Sequence, residues 1–178
     1  MDPERDRGGN SLAEGWLTVF PDTVRRRLYR RRHASRLAKI LNGAQARLAA
    51  AGVGPGWLVT VEVTGRRSGK TISFPAVIAD YDNGRYLVSM LGDDTNWVRN
   101  VRASGGRAVL RHGDREPVTL QEVEVERRAP ILRCYLQRAP GARAHIPVDR
   151  RAPVEAFEPI AAQYPVFRIT AADGAGRQ

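Results

Sequence analysis

Apolar residues recur at two different periods along this chain, and the change of period divides it. Between Pro21 and Gly52 they fall at Val24, Leu28, Leu37, Ile40, Leu41, Ala44 and Leu48, mostly three or four apart, as on one face of a helix. Asp22 or Thr23 supplies an N-cap, and Gly52, Gly54 and Pro55 a stop. From Trp57 the period becomes two: Trp57, Val59, Val61 and Val63 share one face, with Thr60, Glu62 and Thr64 on the other. Thr71–Asp80 predicts a second strand, in which Pro75 needs an edge or a bulge. Tyr81-Asp-Asn-Gly84 predicts a tight hairpin, with Asn-Gly taking the positive φ angles. Arg85–Leu91 is the third strand, Thr95–Ala103 a short helix and Arg107–His112 the fourth strand. In Glu116–Glu126 the apolar parity shifts between Leu120 and Val123, which predicts a β-bulge. Ala129–Arg138 reads as a helix with Pro130 in its first turn. Residues 139–155 read as loop, and a short helix precedes a last strand, Val166–Ile169. Short strands around two small helices predict a mainly β fold with helices, a compact barrel rather than a doubly wound sheet.

The implied organisation is a flexible N-terminal segment over 1–22, a basic amphipathic helix over 23–52, a barrel domain over 53–172 and a tail over 173–178. Charge changes the picture most. The chain has 29 Lys and Arg against 19 Asp and Glu, a net +10 in 178 residues. Such a field favours nucleic acid, an anionic membrane face or a polyanionic ligand. The 23–52 helix carries Arg25, Arg26, Arg27, Arg30, Arg31, Arg32, Arg36 and Lys39. Solvated charge, an interfacial anchor beside Trp16, Leu17 and Phe20, and nucleic-acid binding are its three readings. No nucleic-acid reader motif appears, and the aromatics are not spaced as stacking platforms. The single cysteine, Cys134, excludes an internal disulfide and fits a reducing cytoplasm as a small core hydrophobe. The start, Met1-Asp-Pro-Glu-Arg5, lacks the basic and apolar regions of a signal peptide, and no run nears the ~20 apolar residues of a membrane span. A cytoplasmic protein, or one peripheral to the membrane, is the expectation.

Chemistry concentrates in Val61-Glu-Val-Thr-Gly-Arg-Arg-Ser-Gly-Lys-Thr-Ile72. It is not a P-loop, because Gly65 and Gly69 enclose three residues where that motif needs four, and a strand rather than a helix follows. What remains is a cationic hairpin turn in which Arg66, Arg67, Lys70 and the Ser68 hydroxyl offer donors to a phosphate or carboxylate. A second cluster, Asn96, Trp97, Arg99 and Asn100, sets two amides and a cation just after the third strand, with Trp97 able to bury its ring and Asn96 to cap the helix. His33, His112 and His145 lie far apart without ligand spacing, which argues against a metal site. There is no GxSxG, CxxC or GxGxxG.

Thr64-Gly-Arg-Arg-Ser-Gly-Lys70, Pro75, Asp82-Asn-Gly-Arg-Tyr-Leu-Val-Ser89 and Asn96-Trp97-x-x-Asn100-Val101 occur together and in this order. Over about residues 57–125 the chain thereby resembles the deazaflavin-dependent nitroreductase family, whose fold is a split β-barrel of the FMN-binding type. The resemblance implies binding of coenzyme F420, a deazaflavin whose tail carries a phosphate and glutamates. It implies hydride transfer from its reduced form to an apolar acceptor such as a quinone or nitroaromatic. It assigns Arg67, Ser68 and Lys70 to the cofactor tail and Pro75, Ala76, Ser89, Met90, Asn96 and Trp97 to the deazaflavin pocket, with Gly65, Arg66, Gly69 and Asn100 also among the cofactor-binding residues. Tyr135, His145 or Tyr164 would give the acceptor a proton or hydrogen bond.

Departures from the family pattern are local. Ile72 stands where many relatives carry a second Arg, and Leu91 near the place of a substrate-contacting Ser. The linker Met90-Leu-Gly-Asp-Asp-Thr-Asn96 is short and lacks a Ser-Lys-Gly-Gly run. Rival readings are a split barrel holding FMN or haem, and a deazaflavin-binding module without catalysis. Expected partners are the apolar acceptor, a membrane face met by the basic helix, and a second copy of the chain in a homodimer. No specific nucleic acid is expected.

Overall fold

The computed structural model describes residues 51, 52 and 54–172. The expected N-terminal segment, basic helix and tail lie outside the described residues, except that Ala51 and Gly52 form a turn where that helix is expected to stop. The alternating valines of the first strand set the architecture. In β1 (Leu58–Thr64), Val59, Val61 and Val63 point into a closed apolar interior. β2 (Thr71–Tyr81), β3 (Gly84–Val88), β4 (Arg107–His112), β5 (Asp114–Glu122) and β6 (Val166–Ala171) complete an antiparallel barrel in the order β1-β2-β3-β6-β5-β4. This is the split β-barrel expected. Helix α1 (Asn96–Ala103) adds Val98 and Val101 to the interior beside Leu87, Leu110, Val118 and Phe167.

A second apolar cluster lies on the outside. β3 alternates between the two: Leu87 faces the interior, while Tyr86 and Val88 join Leu132, Tyr135 and Leu136 of α2 (Arg128–Arg138) and Phe157. Phe157 comes from a 3-10 segment, Val154–Gln163, and another 3-10 turn, Pro140–Ala144, breaks the expected loop. Cys134, expected as a core hydrophobe, is only half-buried on α2. Pro75 pairs with β1 at Thr60, whereas β2 meets β3 only from Ile78 onward, so its missing N–H falls in a stretch bare on the β3 side.

The structure corrects several details. Asp82 and Asn83, with φ of 46° and 55°, take the left-handed positions of the hairpin, and Gly84 opens β3. Gly84 is needed for another reason: a Cβ there would lie 2.7 Å from the Tyr86 hydroxyl. The parity shift at Leu120–Val123 is not a bulge. β5 pairs with β6 without interruption from Val118 to Glu122, then ends, and Val123 turns to pack on the outer cluster. The third strand ends at Val88, three residues early, which leaves Met90 and Leu91 in the linker to α1. The last strand runs on to Ala171.

Candidate functional site

The turn joining β1 to β2 is closed by its own backbone. Gly65 N–H donates to the Lys70 carbonyl and Gly69 N–H, at a residue with φ +65°, to the Gly65 carbonyl, each at 2.8 Å. Its cations then divide. Arg66 folds back onto α1, donating to Asn100 Oδ1 from its backbone N–H (3.2 Å) and from Nη1 (2.9 Å), with Nη2 3.4 Å from Asn96 Oδ1. Asn100 is 2% exposed. Arg66 and Asn100, expected to meet the cofactor, therefore meet each other and fix the turn to the helix. Asn96 does not cap α1: the N-cap is Thr95, without a side-chain cap bond. Arg67 and Lys70 are exposed, and neither side chain has a hydrogen-bond or ion-pair partner among the described residues. Ser68 Oγ accepts the Lys70 N–H at 3.3 Å.

The residues expected around a deazaflavin ring are drawn partly into support. The Trp97 ring sits 5.4 Å from both Phe74 and Phe167, propping the barrel interior, and Ala76 packs on the same cluster. Pro75 is half-buried on β2. Ser89 is buried; its hydroxyl donates to the Gly92 carbonyl at 2.7 Å and lies 3.1 Å from Thr95 Oγ1. That bond shapes the linker rather than reaching outward.

Beyond Ser89 the linker forms one wall of a pocket of about 270 Å³, lined by Met90, Leu91, Gly92, His145, Gln163 and Tyr164. The pocket unites His145 and Tyr164 with Met90, whereas Tyr135 is 5% exposed within the outer cluster. The Tyr164 hydroxyl donates to the His145 carbonyl at 2.8 Å, so its proton holds the histidine loop. Burial pushes the His145 imidazole below its ordinary range, which makes it neutral near pH 7. Burial pushes both phenols, Tyr135 and Tyr164, up, and they stay protonated. Gly92 and Gln163 were not anticipated. Gln163, a polar residue between Ile160-Ala-Ala and Tyr-Pro-Val-Phe167, was the available signal.

Behind this pocket runs a chain of ion pairs. Arg102 donates to Asp93 Oδ1 (2.6 Å) and, through Nε and Nη2, to both oxygens of Glu122 (2.8 and 2.7 Å). Arg128 Nη2 reaches the same carboxylate at 3.1 Å, while Nε donates to the Val123 carbonyl at 2.8 Å. The hydrogen bonds from Arg102 hold Asp93 and Glu122 below the usual carboxylate range.

Two exposed cations without partners among the described residues and a hydroxyl, on a turn leading into the bare stretch of β2, suit a tail of phosphate and carboxylates. In this donor set, the residues present fit coenzyme F420. No helix among the described residues is long and apolar enough to cross a membrane. No functionally curated protein has a matching sequence. Among solved structures, an F420-H2 dependent reductase (FDR-A) is 21% identical, covering 64% of this chain and 94% of its own, with a TM-score of 0.45. A chain solved as a domain-swapped dimer is 20% identical over 84% of this chain and 98% of its own, TM-score 0.47. The conserved hypothetical protein Rv2991 from Mycobacterium tuberculosis is 15% identical over 65% and 72%, TM-score 0.44. At these TM-scores the likenesses add no argument about function. The sequence profile of the F420H(2)-dependent quinone reductase family is different in kind, because it matches residues 29–159, well over half the chain. On that match and the barrel with its cationic turn, the chain belongs to the F420H2-dependent quinone reductase family and is an F420-dependent reductase.

Proposed function

We propose that this reductase acts on an apolar quinone-like acceptor received in the pocket between the 89–95 linker and the Gln163–Tyr164 turn. The observation that carries the reading is the pocket's composition. Leu91, 53% exposed, and half-buried Met90 offer apolar contact opposite a neutral imidazole, His145. The pocket surface is more polar than apolar, so Met90 and Leu91 give a flat ring its apolar contact and the polar groups around them suit the oxygens such a ring bears.

Arg67, Ser68 and Lys70 would hold the anionic tail of the cofactor, with Arg66 and Asn100 keeping the turn in place. Pro75, Ala76, Asn96 and Trp97 would border the ring. When bound, reduced F420 supplies the hydride. The chain's own part is to bind, orient and exclude water. Of the three candidate donors, His145 carries the acceptor role, contributing an imidazole N–H toward the acceptor oxygen. Tyr164 holds the His145 backbone, and Tyr135 belongs to the packing between α2 and the barrel.

The arginines of residues 25–36 and Lys39, which are followed by no comparable acidic run, support contact with an anionic membrane face, where lipid-soluble quinones reside. The test of the acceptor is oxidation of F420H2 by a short-chain naphthoquinone, followed by the return of F420 absorbance, with a nitroaromatic in parallel. Quinone-saturable oxidation that falls about tenfold or more in His145→Ala supports the reading. Oxidation no faster than without protein overturns it.

A further inference from the structure

The pocket lies between the linker, the His145 loop and the end of the 3-10 segment, and one ion-pair chain starts beside the first of these walls and reaches the backbone of the third. Met90, Leu91 and Gly92 belong to the linker; Gln163 ends the 3-10 segment that precedes β6, and Tyr164 follows it as the C-cap. These two walls meet at their base. Ser89 N–H donates to the Pro165 carbonyl at 2.9 Å, and Gly92, with φ +89°, comes so near that a Cβ on it would sit 3.4 Å from the Gln163 carbonyl. Above this hinge, Asp93 ties the first wall to Arg102 at 2.6 Å, one residue beyond Gly92. Arg102 passes the connection to Glu122 at the end of β5, and Glu122 to Arg128 at the start of α2. The Arg128 Nη1 then reaches the Ala161 carbonyl at 3.5 Å, two residues before Gln163.

Burial rises steadily along the route. Side-chain exposure falls from 56% at Asp93 to 40% at Arg102, 30% at Glu122 and 8% at Arg128. Exposed ion pairs contribute little on their own, but a bidentate Arg–carboxylate link anchored in a buried guanidinium has a defined geometry.

We propose that Asp93, Arg102, Glu122 and Arg128 act as positioning residues that couple the two walls and set the width of the pocket receiving the acceptor. None of the four touches the acceptor; each acts through the linker or the 3-10 segment. The inference rests on the reading of this pocket as the acceptor site.

Two variants test it. Arg102→Gln cuts the route at a half-exposed point, and Glu122→Gln cuts it at its centre with little change of shape. Hydrogen exchange of the protein without cofactor is the first readout. Glu122→Gln should accelerate exchange at least fivefold in both 90–95 and 161–165, and Arg102→Gln chiefly in 90–95. The second readout is kinetic: KM for the naphthoquinone should rise about tenfold in Arg102→Gln, with kcat and F420 affinity within twofold of the parent chain. Arg102→Lys, which keeps one charge-assisted bond, should recover part of the loss. The coupling is overturned by exchange in Glu122→Gln that rises on one wall alone, or by an unchanged quinone KM in Arg102→Gln. Exchange needs no turnover, so a protein that reduces no quinone would refute the acceptor reading while the exchange data still decide the link between the walls.

Discussion

Helix α1 meets two cationic regions of opposite character. Its first turns receive Arg66 from the β1–β2 turn, where Arg67 and Lys70 stand exposed without partners among the described residues. Its last turn supplies Arg102 to a chain in which Asp93, Glu122 and Arg128 all have partners. The difference follows from burial. A cation in water keeps its hydration and can wait for a ligand, whereas a guanidinium 8% exposed must be answered by a carboxylate or carbonyls. The number of arginines therefore says little about function; their state of pairing says where an anion can bind. Around α1, positive charge is available at the turn and consumed behind the pocket.

The comparison breaks most visibly at its buried end. Arg128→Ala leaves Glu122 with one partner fewer and removes the guanidinium donors to the Val123 and Ala161 carbonyls, the latter keeping the Tyr164 N–H, and should cost about 3 kcal/mol in urea-induced unfolding. Arg67→Ala, at the exposed turn, should change the same quantity by less than ~0.5 kcal/mol. Between them lies Asn100→Ala, which removes the acceptor of both Arg66 bonds at a buried position. It should cost about 1–2 kcal/mol of stability and weaken F420 binding several-fold by releasing the turn.

The smallest effect is titration. Asp93 and Glu122 are held below the ordinary carboxylate range, chiefly by hydrogen bonds from Arg102. Their folded-state pKa values lie below the unfolded values near ~4, so their contribution is present above that pH and is lost as pH falls through the depressed values. Stability followed by thermal melting should thus decline below about pH 4, and less steeply in Arg102→Gln. Equal slopes in both proteins would show that other carboxylates govern the acid limb.

Much of the barrel could be read from periodicity. Val59, Val61 and Val63 alternate because β1 has one face inside, and Pro75 marked the bare part of β2. The misread bulge at Leu120–Val123 had a different cause: Val123 changes cores rather than strands, and one chain's pattern does not distinguish two apolar clusters. The cationic turn was legible as a cluster, but not which cation it would spend, since the Arg66–Asn100 bond spans 34 residues. The pocket was less legible still. His145 and Tyr164 were anticipated as separate candidates, yet their meeting with Met90 depends on the 3-10 segment, whose weak periodicity hid its length. Tyr135 looked equivalent to Tyr164 in sequence, and only packing separates them.

Titration of the purified chain and of the Arg67→Ala/Lys70→Ala double variant with coenzyme F420, following its fluorescence at low and at moderate salt, decides whether the unpaired cations are the cofactor site. The double variant should bind at least ~10-fold more weakly, about 1.4 kcal/mol, with an unchanged melting temperature and a reduced salt dependence. Equal affinity in the two proteins would mean that the anionic tail lies elsewhere and that the free charge of the turn has no part in holding it.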